Sequence, residues 1–191
     1  MNQERIGLFG GTFDPIHLGH LILAYDALEL LGLDRVIFLP ATISPHKLSM
    51  PPLASPEDRL AMLQLATKGE SKFSIDAREL RREGPSYAIE TVRALEKEIP
   101  GATLFYLLGE DHHPTLHYWK ESEELKKKVT FAFFTRGSSA PSYSSKLTRR
   151  VDISSTEIRE RSARSLSILP FLPTPVFEYL EKKSLYQSTS S

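Results

Sequence analysis

Apolar and polar residues alternate in blocks along this chain, and the blocks have the lengths of strands and helices. Continuous apolar runs, typical of strands covered on both faces, occupy residues 6–9, 36–39, 103–108 and 129–134. A shorter strand is expected at residues 73–76. Apolar residues at helical spacing predict helices over residues 18–31, after Ser55, after Ser86 and over residues 173–185. Strand, helix and strand in succession predict a parallel sheet with right-handed crossovers.

Local signals mark where several of these helices begin and end. Ser55, which precedes a proline and two acids, is predicted to cap the second helix, and that helix is expected only to pack in the core. Ser154 and Glu157 have the spacing of a capping box, and Ser86 is a candidate cap for the helix that follows it. Gly32 favours the end of the first helix.

Three segments are predicted to be loops or connectors, because turn-forming or charged residues interrupt the apolar pattern. They are residues 40–54, 79–84 and 138–145. Arg81 and Arg82 are expected on a solvated face. No repeat and no long linker divides the chain, so residues 1–191 are predicted to form one domain, with a helical C-terminal part over about residues 150–191.

Composition narrows the classes of protein. The chain of 191 residues is 40% hydrophobic and 25% charged, which suits an α/β domain. The chain has 24 Lys and Arg residues and 24 Asp and Glu residues, so its formal net charge is zero. Proteins that bind nucleic acids or membranes non-specifically more often have a positive net charge. The absence of cysteine excludes disulfides and thiolate metal sites. Without a signal-peptide pattern or a membrane-spanning run, a cytoplasmic protein with no membrane and no nucleic-acid partner is expected.

The segment richest in chemistry is GGTFDPIHLGH, residues 10–20, between the first strand and the first helix. Gly10 and Gly11 let a ligand approach the backbone closely, and the N–H groups of a helix N-terminus favour an anion. His17 and His20 share one helix face and can donate hydrogen bonds to phosphate. The segment therefore predicts a phosphate site. A tight turn with two solvated histidines remains the alternative, and zinc binding is disfavoured by the i, i+3 spacing.

Further candidates follow other predicted strands. Asp111 comes after the fourth strand, at the sheet edge where ligands bind, and could accept a hydrogen bond from a ribose hydroxyl. Trp119, the only tryptophan, is a flat surface for the core or for stacking on a ring, and the residue alone favours the core. Lys47 lies in the loop after the second strand, where a solvated lysine is the simpler interpretation.

Together these motifs resemble bacterial nicotinate mononucleotide adenylyltransferases, in the nucleotidyltransferase superfamily with the HxGH motif. They follow one another in the family's order: GGTFDPIHLGH, PHK at 45–47, GPSY at 84–87, GED at 109–111 before Trp119, and ISSTEIR at 153–159. The resemblance implies a Rossmann-like, doubly wound parallel sheet flanked by helices, with a small C-terminal helical part. It also implies transfer of the adenylyl group of ATP to nicotinate mononucleotide, giving deamido-NAD and pyrophosphate in NAD biosynthesis.

The same resemblance implies roles for individual residues. His17, His20 and Arg159 would be catalytic. The residues implied to bind ATP are Gly10, Gly11, Thr12, Phe13, His17, His20, Gly109, Asp111, Ser155, Thr156 and Arg159. The residues implied to bind nicotinate mononucleotide are Lys47 at the phosphate, Ser86 and Tyr87 through their backbone, and Trp119 at the ring. Mg²⁺ is implied as a cofactor, held mainly through the ATP phosphates, and no protein metal ligands are expected.

The chain departs from the family pattern at two places, and the sequence leaves several questions open. Ala88 stands where threonine is usual, and Arg136 is followed by glycine where Arg-Pro-Gly is usual. One alternative is another adenylyl- or cytidylyltransferase, such as a pantetheine-phosphate adenylyltransferase, and the other is a non-catalytic nucleotide-binding regulator. The oligomeric state is open, a homo-oligomer included.

A preference for nicotinate over nicotinamide mononucleotide is also expected. The helix start near Tyr87 favours a carboxylate, and Lys120 could add positive charge beside the ring. No Asp or Glu acceptor for an amide is expected nearby, since Glu90 lies a turn further into the helix.

Overall fold

The computed structural model describes residues 3–43, 50–135, 144–149 and 151–188. Strands and helices alternate along most of this chain. The strands are β1 (Arg5–Gly11), β2 (Arg35–Pro40), β3 (Phe73–Ile75), β4 (Thr103–Gly109), β5 (Thr130–Thr135) and β6 (Ser144–Thr148). The α-helices are α1 (Leu18–Leu30), α2 (Pro56–Thr67), α3 (Ala88–Glu98), α4 (Ser122–Lys128), α5 (Ser155–Ala163) and α6 (Thr174–Lys183). Short 3₁₀ helices lie at Glu79–Arg81, Glu110–Tyr118 and Leu169–Phe171.

The described strands form one sheet in the order β3-β2-β1-β4-β5-β6, and every neighbouring pair is parallel. The predicted doubly wound parallel sheet is thus confirmed. The strand order reverses between β1 and β4, and such a reversal leaves a crevice at the carboxyl ends of the strands. Gly11 pairs with Pro40 and Gly109 with Phe134, so the carboxyl ends of four strands meet at this edge.

The sheet is covered on both faces, which explains the continuous apolar runs. Alternate residues of a strand point to opposite faces, so Leu8 belongs to one core cluster and Phe9 to the other. The cluster around Phe9 includes Ala24 of α1, Met62 of α2 and Val176 of α6. The opposite cluster takes its helical contacts from α3 and α4. None of the described helices has the length and apolar character needed to cross a membrane.

The capping signals are largely confirmed. Ser55 and Ser154 each accept a hydrogen bond from a backbone N–H three residues on, at 3.0 and 3.1 Å. Gly32 ends the first helix with a φ of +57°, a conformation that glycine adopts without strain. The prediction that Ser86 caps α3 is wrong: the helix follows Tyr87, and the Ser86 hydroxyl accepts a hydrogen bond from the backbone N–H of Thr42.

Two further predictions need correction. Residues 144–148, of which the first two fell in a predicted loop, form edge strand β6, whose sequence SSKLT lacks an apolar run. The connector 79–84 is only partly solvated, because Glu79 is 3% exposed. The 3₁₀ helices and α4 carry no strong periodic signal and were not predicted.

Candidate active site

A cleft of about 1160 Å³ opens at the crevice between β1 and β4. All the predicted site residues that the structure describes line this cleft. They are Gly10, Gly11, Thr12, Phe13, His17, His20, Ser86, Tyr87, Gly109, Asp111, Trp119, Ser155, Thr156 and Arg159. Lys47 and Arg136 lie outside the described residues. Segments that are far apart in sequence therefore meet at the edge of the sheet that the strand order predicts.

The glycine at the end of β1 is required by close packing. A Cβ atom at Gly10 would lie 2.7 Å from the hydroxyl oxygen of Tyr106, a separation that only a shift of the ring could relieve. Tyr106 is buried, and burial raises the pKa of its hydroxyl, so the group stays protonated. The loop then turns at Phe13, which has a φ of +50°, and leads to α1.

The two histidines form a stacked pair at the N-terminus of α1. Their ring centroids are 3.7 Å apart, and the backbone N–H of His17 donates to Nδ1 of His20 at 3.2 Å. Burial lowers the pKa of His17 to about 4, and burial together with the neighbouring His17 lowers the pKa of His20 well below 6.5. Both rings are therefore neutral near pH 7. Because Nδ1 of His20 accepts a hydrogen bond, its proton resides on Nε2, which makes that atom a donor.

A second helix N-terminus, that of α5, faces the same end of the cleft. The Ser155 hydroxyl donates to the carbonyl oxygen of Pro15 at 2.8 Å, which ties α5 to the loop before α1. Nη1 of Arg159 donates to the carbonyl oxygen of Asp14 at 2.7 Å, and Nη2 lies 3.3 Å from the Thr156 hydroxyl. Two helix N-termini and an arginine thus converge where an anion would be stabilised.

Arg59 supports this end of the cleft from below, and the sequence did not indicate its role. Its side chain is 1% exposed, and its guanidinium donates to the carbonyl oxygens of Thr12, Ala41 and Thr42 at 2.7, 2.6 and 3.3 Å. These contacts join the glycine-rich loop to the end of β2. The expectation that α2 only packs in the core is therefore incomplete.

Aromatic residues line the opposite end of the cleft. Trp119 is partly buried and lies edge-on to Tyr106, with ring centroids 5.8 Å apart. The ammonium nitrogen of Lys120 is 4.5 Å from the centroid of the Tyr87 ring and 2.7 Å from Oε1 of Glu90. Lys120 thus lies at this end of the cleft, but its positive charge is paired with Glu90.

A buried carboxyl group lies at this end, which corrects the expectation that no acidic group would be near. Glu79 accepts a hydrogen bond from the Thr91 hydroxyl at 2.7 Å and another from the Ser86 hydroxyl. Burial raises the pKa of Glu79, and the hydroxyl contacts only partly oppose that shift. The Ser86 hydroxyl is thus engaged inside the protein and does not cap the N–H groups at the start of α3.

One further charged side chain lines the cleft and was not predicted. Nε and Nη2 of Arg149, which follows β6, contact the two carboxylate oxygens of Asp26 at 2.5 and 2.7 Å. Asp26 is 6% exposed on α1. Among the described residues, no three His, Asp or Glu side chains come together as a metal site.

Comparisons with known proteins agree with this geometry. The cytidylyltransferase-like family model matches residues 8–161. A relative from Methylacidiphilum infernorum, named probable nicotinate-nucleotide adenylyltransferase, is 44% identical and covers 95% of this chain and 92% of its own. A relative of the same name from Thermus thermophilus is 40% identical, with 96% of this chain and 100% of its own covered.

Solved structures show the same fold. A nicotinic acid mononucleotide adenylyltransferase from Plasmodium falciparum, complexed with NaAD, matches with a TM-score of 0.78 at 20% identity, over 96% of this chain and 98% of its own. Its complex with APC matches with a TM-score of 0.74 at 19% identity, over the same shares of the two chains. The resemblance to nicotinate mononucleotide adenylyltransferases is confirmed by the relatives that are 40–44% identical over nearly the whole chain. The chain therefore belongs to the cytidylyltransferase-like family.

Proposed function

We propose that this enzyme transfers the adenylyl group of ATP to nicotinate mononucleotide, giving deamido-NAD and pyrophosphate. The observation that carries the proposal is the convergence of the HxGH helix, the N-terminus of α5 and an aromatic wall around one cleft. The names of the relatives support the same enzyme class. A cleft of about 1160 Å³ exceeds the roughly 300–1,000 Å³ of ordinary ligand pockets, which suits two nucleotides together.

The reaction needs no nucleophile from the protein. An oxygen of the mononucleotide 5′-phosphate attacks the α-phosphorus of ATP, a new P–O bond forms, and the bond from the α-phosphorus to the pyrophosphate oxygen breaks. The protein has mainly to align the two phosphates and stabilise the charge on the departing pyrophosphate. His20 would donate through Nε2, Arg159 would supply positive charge, and the N–H groups of α1 and α5 would complete the anion site.

Mg²⁺ fits this site as an ion carried by the ATP phosphates. The carboxylate of Asp14, which lies beside the phosphate end, already accepts three hydrogen bonds, from Leu53, Ala54 and Tyr186. Phosphate oxygens and water would then supply the ligands of Mg²⁺, as is usual for this ion. The bound ion would reduce the negative charge that the protein has to stabilise.

The base end of the cleft supports selection of the nicotinate form. The first turn of α3 offers backbone N–H groups that match a carboxylate. The carboxyl of Glu79 also lines the cleft, but it is 3% exposed and accepts hydrogen bonds from the Thr91 and Ser86 hydroxyls, so it offers little accessible surface to an amide N–H. Ala88 provides no hydroxyl, and a backbone contact does not need one. Trp119 would stack on the ring, and Lys47, outside the described residues, would bind the mononucleotide phosphate.

Pyrophosphate release from ATP tests the function directly, with nicotinate and nicotinamide mononucleotides compared as acceptors. A pantetheine phosphate with ATP, and a cytidylyl acceptor with CTP, test the alternative transferases. We expect turnover with nicotinate mononucleotide and a preference of roughly a hundredfold or more in kcat/KM over the amide, because two mismatched buried contacts cost roughly 1–3 kcal/mol each. Equal kcat/KM values for the two mononucleotides would refute this account of the base end.

His20→Ala tests the phosphate end. Loss of one preorganised donor is expected to lower kcat by a factor on the order of 10²–10³. His117→Ala, which alters an exposed histidine outside the cleft, is the matched control and should leave turnover unchanged. Near-normal turnover of a folded His20→Ala protein would exclude the assigned role.

A further inference from the structure

The carboxylate of Asp14 is the centre of a buried hydrogen-bond cluster next to the phosphate end of the cleft. The side chain is 4% exposed. The backbone N–H groups of Leu53 and Ala54 donate to its two oxygens at 2.9 and 3.0 Å, and the Tyr186 hydroxyl donates to Oδ1 at 2.6 Å. A buried carboxylate needs such donors, because its charge has lost the solvation of water. The hydroxyl of Tyr186 is the one side-chain donor among these three contacts.

The same residue holds the arginine of the phosphate site. Nη1 of Arg159 donates to the backbone carbonyl of Asp14 at 2.7 Å and lies 3.9 Å from its carboxylate. A rotation of the Asp14 side chain would therefore move the carboxylate away from the guanidinium, and a shift of the Asp14 backbone would displace the carbonyl that accepts its hydrogen bond. Asp14 also sits in the glycine-rich loop, between Gly10 and His17, so its position affects the loop on which a phosphate would rest.

Tyr186 reaches this cluster from the far end of the chain. Helix α6 ends at Lys183, and Ser184 and Tyr186 both have positive φ, at 51° and 63°. The backbone N–H of Leu185 donates to the carbonyl of Leu180 at 3.1 Å, which closes the turn against the helix. Burial, and next the charge of Asp14, raise the pKa of the Tyr186 hydroxyl, so it remains a donor throughout the neutral range.

We propose that Tyr186 is a positioning residue for ATP: through Asp14 its hydroxyl holds Arg159 and the glycine-rich loop in the arrangement that binds the triphosphate. This inference rests on the proposed function for the identity of the ligand. It makes the C-terminal turn a working part of the phosphate site, although Tyr186 itself does not line the cleft.

Tyr186→Phe removes only the hydroxyl, and the chain offers a matched control. Tyr179 donates from the same C-terminal region to Oδ1 of Asp58 at 2.7 Å, but neither residue lines the cleft. Tyr179→Phe therefore removes a similar tyrosine–aspartate hydrogen bond whose two residues do not line the cleft. Thermal unfolding of both variants establishes how much stability each hydroxyl contributes.

Steady-state kinetics and direct binding separate positioning from stability. For Tyr186→Phe we expect the KM for ATP to rise about tenfold, while the KM for nicotinate mononucleotide stays within about twofold. The dissociation constant for inorganic triphosphate, measured by calorimetry, should rise by a similar factor. Such a factor corresponds to about 1.4 kcal/mol, close to the lower end of the roughly 1.5–3 kcal/mol that a hydrogen bond to a charged group contributes. Tyr179→Phe should change none of these constants.

A double-mutant cycle tests the route through Arg159. In an Arg159→Ala background, Tyr186→Phe should weaken triphosphate binding by clearly less than it does alone, because part of its effect has already been lost. Three results would each overturn the proposal. The effects of the two substitutions on triphosphate binding could be fully additive, or Tyr186→Phe could raise both KM values equally. Tyr186→Phe could also lower stability while leaving triphosphate binding unchanged. The triphosphate assay does not require turnover, so failure of the proposed reaction and failure of the role of Tyr186 give different results.

Discussion

Lowering the pH should destabilise this protein through the buried histidines of its phosphate site. The pKa of His17 falls from 6.5 to about 4 on folding because burial disfavours the charged ring. Between these values the unfolded chain binds a proton that the folded chain does not bind. The contribution of His17 to stability is therefore complete above pH 6.5 and is lost as the pH falls through this window.

The magnitude follows from the size of the pKa shift. A difference of one pKa unit corresponds to about 1.4 kcal/mol, so acidification from pH 7.5 to pH 4 should remove about 3 kcal/mol through His17 alone. His20 acts in the same direction, since its pKa is also lowered by burial and by the neighbouring His17. Against a typical total of roughly 5–15 kcal/mol, a loss of this size is substantial.

Urea unfolding at a series of pH values measures the effect. His17→Gln retains a polar side chain but has no titrating ring, so its free energy of unfolding should fall less steeply below pH 6.5 than that of the unmodified protein. His117→Gln replaces an exposed histidine and should follow the unmodified curve. Carboxyl groups contribute equally to all three proteins, so the difference between curves measures the titration of His17 together with its effect on His20. Identical pH dependence in His17→Gln and the unmodified protein would show that the ring is not held neutral.

The same shift predicts a link between protonation and ligand binding. A phosphate placed next to the imidazoles favours their charged form and raises their pKa. Triphosphate binding near pH 5.5 should therefore be accompanied by proton uptake, which calorimetry in buffers of different ionisation enthalpy detects. His17→Gln should reduce that uptake, and an unchanged uptake would separate the proton from His17.

Two further substitutions test other parts of the cleft. Gly10→Ala places a Cβ against the Tyr106 hydroxyl and should cost roughly 1–3 kcal/mol of stability, with a loss of activity. Tyr106→Phe in the same chain should recover part of both losses, and no recovery would contradict the proposed clash. Glu79→Gln removes a carboxyl whose pKa is raised by burial. Such a group makes the folded state less stable as the pH rises above 4.5, because the unfolded chain gives up this proton more readily than the folded chain does. The stability of Glu79→Gln relative to the unmodified protein should therefore increase with pH above 4.5 in urea unfolding, and a constant difference would contradict this.

The elements that could be predicted are those whose own sequence carries their signal. β1, β2, β4 and β5 are apolar because helices cover both faces of the sheet, and such runs are visible without a structure. β6 was not predicted, because an edge strand pairs with a neighbouring strand on one side only and tolerates polar residues. The strand order reverses between β1 and β4, and once that order is known it locates the cleft.

The residues that support the site could not be predicted, because their contacts span the chain. Tyr186 and Asp14 are 172 positions apart, and neither signals the other in the sequence. Arg59 occupies a helix position where an apolar residue is expected, and a fully buried arginine is rare. Glu79 stands in a charged run that favours a solvated face. In each case the partner is supplied by tertiary structure, often by backbone carbonyl groups, which no side-chain pattern records.

The way charges are paired indicates which arginine of the cleft is free to meet a phosphate. Arg149 makes a two-point contact with Asp26, and moving it would leave a nearly buried carboxylate unpaired, which is costly. Arg159 instead donates to a backbone carbonyl and stands 3.9 Å from the Asp14 carboxylate, which has three other donors. Arg159 can therefore contact a phosphate from this position without leaving a buried carboxylate unpaired. On this ground we expect Arg159→Ala to weaken triphosphate binding and Arg149→Ala to act mainly on stability, a division that calorimetry and urea unfolding resolve.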